Sequence, residues 1–462
     1  MTVQVVFSEP VDSSSVTTEA ITLTRVRDGV PVTGSAMRSP GTPLQAEWQP
    51  SGSLEPGTEY RLEVRRVRDL SGDSLQTPVF VSFTTGSALA PVPLQNVMKV
   101  AAGYDHSCAL DSAGLAYCWG EGLWGQLGRG TRDLDAFAEP VVAESSFGEV
   151  VLGESFSCGL TAGGVAMCWG LNWFGQLGLS QQAAAVCSHP NSGSALACSL
   201  APVVVQSNVQ FRSLTAGAAH VCGLTFDGRA YCWGDNVSGQ MGADDTGERC
   251  DQYYTRQLSC SSTPVLVQGG FSFNALEAGG YHTCGLTSDG SAYCWGQNLD
   301  GELGTGDTIG GAVPRPVAAG GRRFFTISAG RWHTCGVADD GRTYCWGWNG
   351  DGQLGVGDFE PRSLPSPIFS VTDRFGSVRG GGFWTTALRA DGALYVWGRQ
   401  SVVAFNHLPG ATFSFVVPGR DHVCLGGSGE AYCFGSNFHG QLGNGQVLGS
   451  FTWTPQRVLT RP

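Results

Sequence analysis

The chain has 462 residues, a net charge of −12 and only 14% charged residues, with 68 glycines and 16 cysteines. A single lysine (Lys99) and the absence of any basic run exclude a nucleic-acid or anionic-membrane surface, and no stretch approaches the ~20 apolar residues of a membrane span. So much glycine with so little charge describes short strands and tight turns rather than long solvated helices.

The N-terminal residues 1–86 carry no cysteine. Val3, Val5 and Phe7 alternate, as do Ile21 and Leu23, and further β runs cover Leu44–Trp48, Tyr60–Val67 and Val79–Phe83. Asp28-Gly29, Glu55-Pro56-Gly57 and Ser71-Gly72-Asp73 punctuate them as turns. Some six short strands in this length predict a small β-sandwich. Asp69 and Asp73 read as turn formers before calcium ligands. The order Phe7-Ser8-Glu9-Pro10-Val11-Asp12, Leu54-Glu55-Pro56-Gly57-Thr58-Glu59-Tyr60, Arg68-Asp69-Leu70-Ser71-Gly72 and Phe83-Thr84-Thr85-Gly86 resembles a bacterial Ig-like domain of secreted and surface proteins. That resemblance implies one more strand before Phe7, and MTVQVVFSEP has no signal-peptide pattern, so Met1 reads as a truncated start. Residues 87–96 form a Pro/Ala linker, too short to let two domains move far apart.

From residue 97 to 462 one unit recurs. Its fullest form is Ala329–Gly355, in which His333, Cys335 and Val337 alternate before an Asp340-Gly341 turn, Tyr344-Cys345-Trp346-Gly347 follows, and Gly352-Gln353-Leu354-Gly355 closes the unit. The Cys-Trp-Gly element stands at Cys118, Cys168, Cys232, Cys294 and Cys345, with variants Val396-Trp397-Gly398 and Cys433-Phe434-Gly435, making seven units. Each offers four β runs; in the third these are Val203–Val205, Arg212–Ala216, Val221–Leu224 and Ala230–Trp233. Four short strands per unit describe a propeller blade. The predicted fold is all-β: a seven-bladed β-propeller behind an N-terminal Ig-like β-sandwich. A ring must hide its sheet edges, so Thr454–Leu459 is predicted to pair with the blade begun by Val97–Ala102 and latch the ends.

The pattern A-G-x-x-H-[ST]-C, G-x-x-Y-C-W-G, G-Q-L-G is similar to the repeat of the regulator of chromosome condensation family, in a bacterial, cysteine-rich form. The tryptophans are expected to pack between blades and the G-Q-L-G glycines to supply left-handed turns. The resemblance also implies, as an alternative function, guanine-nucleotide exchange on a small GTPase, although no residues of an exchange wedge can be placed. One branch of the family senses UV-B light through tryptophans in repeated G-W-R-H-T motifs. Gly330-Arg331-Trp332-His333-Thr334 matches only with two residues exchanged, and only once, so photoreception is not implied.

Six cysteine pairs lie nine or ten positions apart on hairpin arms: Cys108/Cys118, Cys158/Cys168, Cys222/Cys232, Cys284/Cys294, Cys335/Cys345 and Cys424/Cys433. The sixth unit has Thr386 and Val396 there instead, and joint loss is expected of bonded partners. Directly opposed hairpin residues come within disulfide reach, and each closed loop adds about 2–3 kcal/mol under the chain-entropy model. Zinc is the rival reading, but its sites favour closer pairs converging on one point. With Cys187/Cys198 and Cys250/Cys260 there are eight pairs, which implies an oxidising place: extracellular, cell-surface or periplasmic. His106, His220, His282, His333 and His422 share one repeat position that also accepts Phe156 and Trp384, which favours a structural role over metal binding.

Two insertions interrupt consecutive units at one point, Leu179–Ala201 and Ala243–Thr263, each holding one of the last two cysteine pairs. Stapled loops on a rigid ring are candidate binding elements, and Arg249, Tyr253, Tyr254 and Arg256 are residue types enriched at binding hot spots. Surface decoration without a partner is the competing reading. No phosphate loop, G-x-S-x-G or H-E-x-x-H is present, so no catalytic residue, cofactor or metal ligand is assigned. The expected function is a secreted or surface, non-enzymatic scaffold recognising a protein or glycan; a secreted propeller that inhibits an enzyme, as in bacterial propellers that cap β-lactamases, is a further alternative.

Overall fold

The computed structural model describes residues 3–38, 44–52, 54–55, 57–84, 90–181, 184–188, 195–244, 246–250, 258–369, 374–399, 401–406, 412–447, 449 and 451–461. The chain divides into two compact units, Met1–Ala90 and Pro91–Pro462. Among the described residues the only helical element is a 3₁₀ turn, Ser13–Ser15, and no helix is long and apolar enough to cross a membrane.

The first unit is an Ig-like sandwich. Its strands are β1 Val3–Val6, β2 Ile21–Arg25, β3 Pro31–Val32, β4 Gly34–Arg38, β5 Gln45–Pro50, β6 Glu59–Val64 and β7 Val79–Thr84. One sheet runs β1-β5-β4 and the other β3-β2-β6-β7. Alternating residues of the two inner faces meet in a core of Ile21, Leu23, Ala46, Trp48, Tyr60, Leu62 and Val64. Asp69 accepts from Ser71 N, Ser71 Oγ and Asp73 N, so its carboxylate shapes a turn.

The second unit is the seven-bladed propeller. Its innermost strands are Val97–Ala102, Phe147–Leu152, Phe211–Ala216, Phe273–Ala278, Phe324–Ala329, Phe375–Gly380 and Phe415–Pro418. Each continues outward through the hairpin that carries the cysteines to a fourth strand. In blade 5 that hairpin sets His333 opposite Gly347 and Cys335 opposite Cys345. All sixteen cysteines are bonded. Blade 6 keeps the register without the bond, Thr386 facing Val396.

The blades differ from the sequence reading in phase. Val203 is not the first strand of the third blade; it lies in Ala195–Val204, the outer strand of blade 2, paired with Cys168. The predicted latch is corrected likewise. Phe451–Arg457 pairs with Glu430–Ser436 as the outer strand of blade 7, not with the blade begun by Val97–Ala102. The ends meet instead in a two-residue ladder of Val92–Pro93 with Leu459–Thr460, backed by Leu94 N donating to Val458 O. Every blade is therefore one continuous stretch of chain, and the seam closes through side chains, this short ladder and single main-chain bonds such as Val97 N to Gly429 O and Gly445 N to Ala136 O.

Adjacent blades are joined by a repeated set of contacts. The fully buried Trp169 donates Nε1–H to Gln126 O of the preceding blade at 2.9 Å, and Trp119, Trp233 and Trp295 make the equivalent bond. Gly128 sits over the Trp169 ring with φ +68; a Cβ there would lie 2.8 Å from the indole nitrogen. Each repeat histidine reaches forward to the next blade: His106 to Ser157 (2.9 Å), His220 to Thr283 (2.9 Å), His282 to Thr334 (2.8 Å), His333 to Thr385 (2.8 Å) and His422 to Ser107 (2.7 Å). Those hydroxyls donate to the carbonyls of Gln126, Gln240, Glu302, Gln353 and Gln441, so each histidine must supply the proton of its own bond from Nε2. Where the histidine is replaced by Phe156 or Trp384, the next blade carries Val221 or Val423 in place of the hydroxyl.

Candidate functional site

Every blade turns from its first strand to its second at the central channel, and the turn opens on the repeat glycine. Bare glycine is needed because the blades nearly touch there. A Cβ on Gly103 would fall 2.7 Å from Gly153 O, on Gly279 2.5 Å from Gly330 O, on Gly330 2.7 Å from Gly381 O, and on Gly419 2.5 Å from Gly103 O. The next residue's N–H usually donates to the following blade: Glu154 N to Ala218 O, Ala218 N to Gly280 O, Arg331 N to Gly381 O, Gly382 N to Gly419 O and Arg420 N to Gly103 O. A belt of main chain thus pinches one mouth of the channel.

The residue after each glycine faces that mouth, and these seven positions hold five residue types: Tyr104, Glu154, Ala218, Gly280, Arg331, Gly382 and Arg420. Arg331 of blade 5 reaches across to an ion pair with Glu154 of blade 2. Its guanidinium also lies 4.7 Å from the Tyr104 ring, 4.6 Å from the Trp332 ring and 5.8 Å from the Tyr281 ring. Arg420 covers Tyr104 from 3.7 Å and bonds Asp421 at 2.6 Å and Asp105 at 3.3 Å. Burial pushes the Tyr104 phenol up, against the pull of Arg331 and Arg420. Burial raises the Asp105 carboxyl too, but the His439 hydrogen bond and the Arg420 charge outweigh it and hold it below its ordinary value; His439 is raised in return, mainly by Asp105. Trp332 packs on Phe383 at 5.6 Å, not in a cluster of tryptophans.

Around the mouth stand the loops between third and fourth strands. Those of blades 2, 3, 4, 5 and 7 are each held by a buried asparagine that bonds both ways. Asn236 Nδ2 donates to Ala243 O at 3.0 Å while its Oδ1 accepts from Met241 N at 3.1 Å; Asn298, Asn349 and Asn437 repeat the acceptor bond to Leu303, Leu354 and Leu442 N. In blades 3, 4 and 7 the residue after the asparagine is thereby presented to solvent on a fixed loop: Val237 is 51% exposed, Leu299 73% and Phe438 57%. Trp348 is exposed beside them. Apolar side chains held outward on rigid loops make this face a candidate binding surface.

The two insertions rise from the same side. The third strands of blades 2 and 3 end at this face, where Leu171 N bonds Ser155 O and Asp235 N bonds Ala219 O. The outer strand of blade 2 runs on past that end and pairs with Ala185–Ser188; that of blade 3 does so with Arg249–Cys250. Each hairpin is stapled, Cys187–Cys198 at a Cα separation of 5.9 Å and Cys250–Cys260 at 6.0 Å. Arg249 is exposed there, whereas Tyr253, Tyr254 and Arg256 lie outside the described residues. Sequence reasoning missed the mouth cluster. Its signal was variation inside a fixed frame: five residue types at the one position that follows an unvarying glycine. Among the described residues no group of three or more His, Cys, Asp or Glu side chains could hold a metal ion.

Comparison with known proteins agrees with this geometry. Residues 1–85 match the model of the bacterial Ig-like domain. Two models of the regulator of chromosome condensation (RCC1) repeat match residues 97–126, 211–240, 273–302 and 326–353, and residues 227–286, 289–337 and 340–388. The chain is similar to the Ultraviolet-B receptor UVR8 of Arabidopsis thaliana, 31% identical over 310 residues and covering 66% of each chain. It is 28% identical to the mitochondrial RCC1 domain-containing protein RUG3 of the same plant, over 40% of this chain and 41% of that one. It is 28% identical to the mouse E3 ubiquitin-protein ligase HERC2, over 50% of this chain and 5% of the ligase. The chain thus spans no more than about two thirds of these relatives' own length. Among solved structures, human WBSCR16 aligns at a TM-score of 0.63 and 21% identity, covering 74% of this chain and 94% of its own. Yeast RCC1 (Prp20), in its complex with Kap60, aligns at 0.61 and 19%, covering 80% and 85%. At such identities these two speak for the fold alone.

Proposed function

The propeller is built of regulator of chromosome condensation repeats behind a bacterial Ig-like domain, and from that premise we propose that the chain is a secreted or surface-held, non-enzymatic scaffold that binds a protein through the face bearing the channel mouth. The observation that carries this reading is the set of apolar side chains, Val237, Leu299 and Phe438, held outward by buried asparagines around Arg331, Arg420 and Tyr104. Arginine and aromatic residues ringed by apolar contacts have the composition of a protein hot spot. A protein is favoured over a glycan because the arginines already have carboxylate partners and the exposed groups offered to a ligand are apolar, Val237 and Leu299 among them. The stapled hairpins of blades 2 and 3 would wall one side. The eight disulfides support an oxidising setting and weigh against nucleotide exchange in the cytosol.

The test is affinity capture from surface and secreted fractions of the source cells, with the wild type, L299D/F438D on this face and F226D on the opposite face as baits. A partner held by the wild type and F226D and lost by L299D/F438D is the expected result. Equal capture by all three baits would refute the assignment of the face.

A further inference from the structure

The Ig-like unit leaves part of its own core face uncovered. In β6 the inward residues Tyr60, Leu62 and Val64 are buried. Their partners across the ladder are Phe83, Val81 and Val79 of β7, on the same face of the sheet. Yet Val79 is 48% and Val81 53% exposed, and Phe80 on the outer face is 56% exposed. The facing sheet has three strands against four, β7 is an edge strand, and of its three inward residues Phe83 is packed against the core. Exposed edges are ordinarily guarded by charge, proline or a bulge. Here the ladder from Val79 to Thr84 is regular, and no charged residue occurs between Ser74 and Met98.

We propose that β7 is a dimerisation edge, pairing antiparallel with β7 of a second copy of this chain about a two-fold axis through Val81. The strand is self-complementary in that register. Val81 faces its own copy, Val79 faces Phe83, and Phe80 faces Ser82, so apolar side chains line up along the inner face as cross-strand neighbours. The outer face is compatible in charge. Because Glu63 is paired with Phe80 and Arg61 with Ser82, each row across the joined sheet begins on Glu63 of one copy and ends on Arg61 of the other, with no like charges opposed. Within each copy the guanidinium of Arg61 lies 5.8 Å from the Phe80 ring, on this same outer face. Two four-stranded sheets then become one of eight, and the free backbone groups of both edges are satisfied.

This dimer is independent of the binding face of the propeller. Sedimentation velocity of the full chain across a wide concentration range is the test. The expected result is a monomer–dimer equilibrium in the wild type and in R331A. V81E, which sets two carboxylates against each other, and F80E, which alters only the outer face, are expected to stay monomeric, with their thermal unfolding close to that of the wild type. Hydrogen exchange at residues 79–84 is expected to slow as the dimer fills. A wild type that is monomeric throughout, or a dimer that persists in F80E, would overturn the proposal.

Discussion

Replacing Thr385 by valine should destabilise the propeller far more when His333 is present than when it is phenylalanine. Thr385 Oγ accepts from His333 Nε2 at 2.8 Å and donates to Gln353 O at 2.7 Å. Valine in its place strands a buried imidazole N–H and a buried carbonyl, each carrying a penalty of about 1–3 kcal/mol. H333F alone leaves the Thr385–Gln353 bond intact and removes one neutral hydrogen bond, about 1 kcal/mol. H333F/T385V brings together the Phe156 and Val221 pairing that blades 2 and 3 already use. The double variant should therefore cost less than the sum of the singles, with a coupling energy of about 1–2 kcal/mol. The assay is a double-mutant cycle on guanidinium unfolding followed by tryptophan fluorescence. A coupling energy near zero would refute the idea that the two positions act as one joint.

Two further outcomes follow from the same contacts. The five repeat histidines are depressed by burial, His106, His220 and His333 to about 3 and His282 and His422 to about 4. An unfolded chain therefore binds more protons than the folded one at mildly acid pH. Stability is held above about pH 6.5 and lost as pH falls toward 4, each histidine adding up to about 1.4 kcal/mol per pH unit; H333F/T385V should flatten that slope in pH-dependent unfolding by one proton's worth. G330A should destabilise by about 1–3 kcal/mol or more, because its Cβ meets His333 Cε1 at 2.4 Å and Gly381 O at 2.7 Å, whereas G376A, with its nearest atom at 3.7 Å, should be almost neutral in thermal unfolding.

Much of the fold could be read from the residues because its rules are local. The hairpin of blade 5 needs only Asp340-Gly341 and alternating residues either side, and the paired absence of both cysteines in blade 6 shows in Thr386 and Val396. Phase is different. A repeat can be cut at any point without changing its period, and whether Val203 closes one blade or opens the next is settled by which strand it pairs with. The mouth cluster is harder still. Arg331 and Glu154 are 177 positions apart and meet only because the ring brings blades 2 and 5 to one opening. Of the four residues singled out in the second insertion, the structure describes Arg249 alone.

The forward reach of each histidine gives the ring a grammar of matching tiles. Every unit has a leading edge, either imidazole or aromatic, and a trailing edge, either hydroxyl or valine. His106 to Ser157 is one legal join, and Phe156 to Val221 or Trp384 to Val423 is the other. Blades 1, 4 and 5 show the same type on both edges, so such units can be duplicated or exchanged by recombination without a mismatched seam. Blades 3 and 7 cannot follow one of these, because their Val221 and Val423 would meet a histidine with nowhere to place its proton. A family of rings can thus grow or shuffle its members only along joins that the chemistry of a single contact permits.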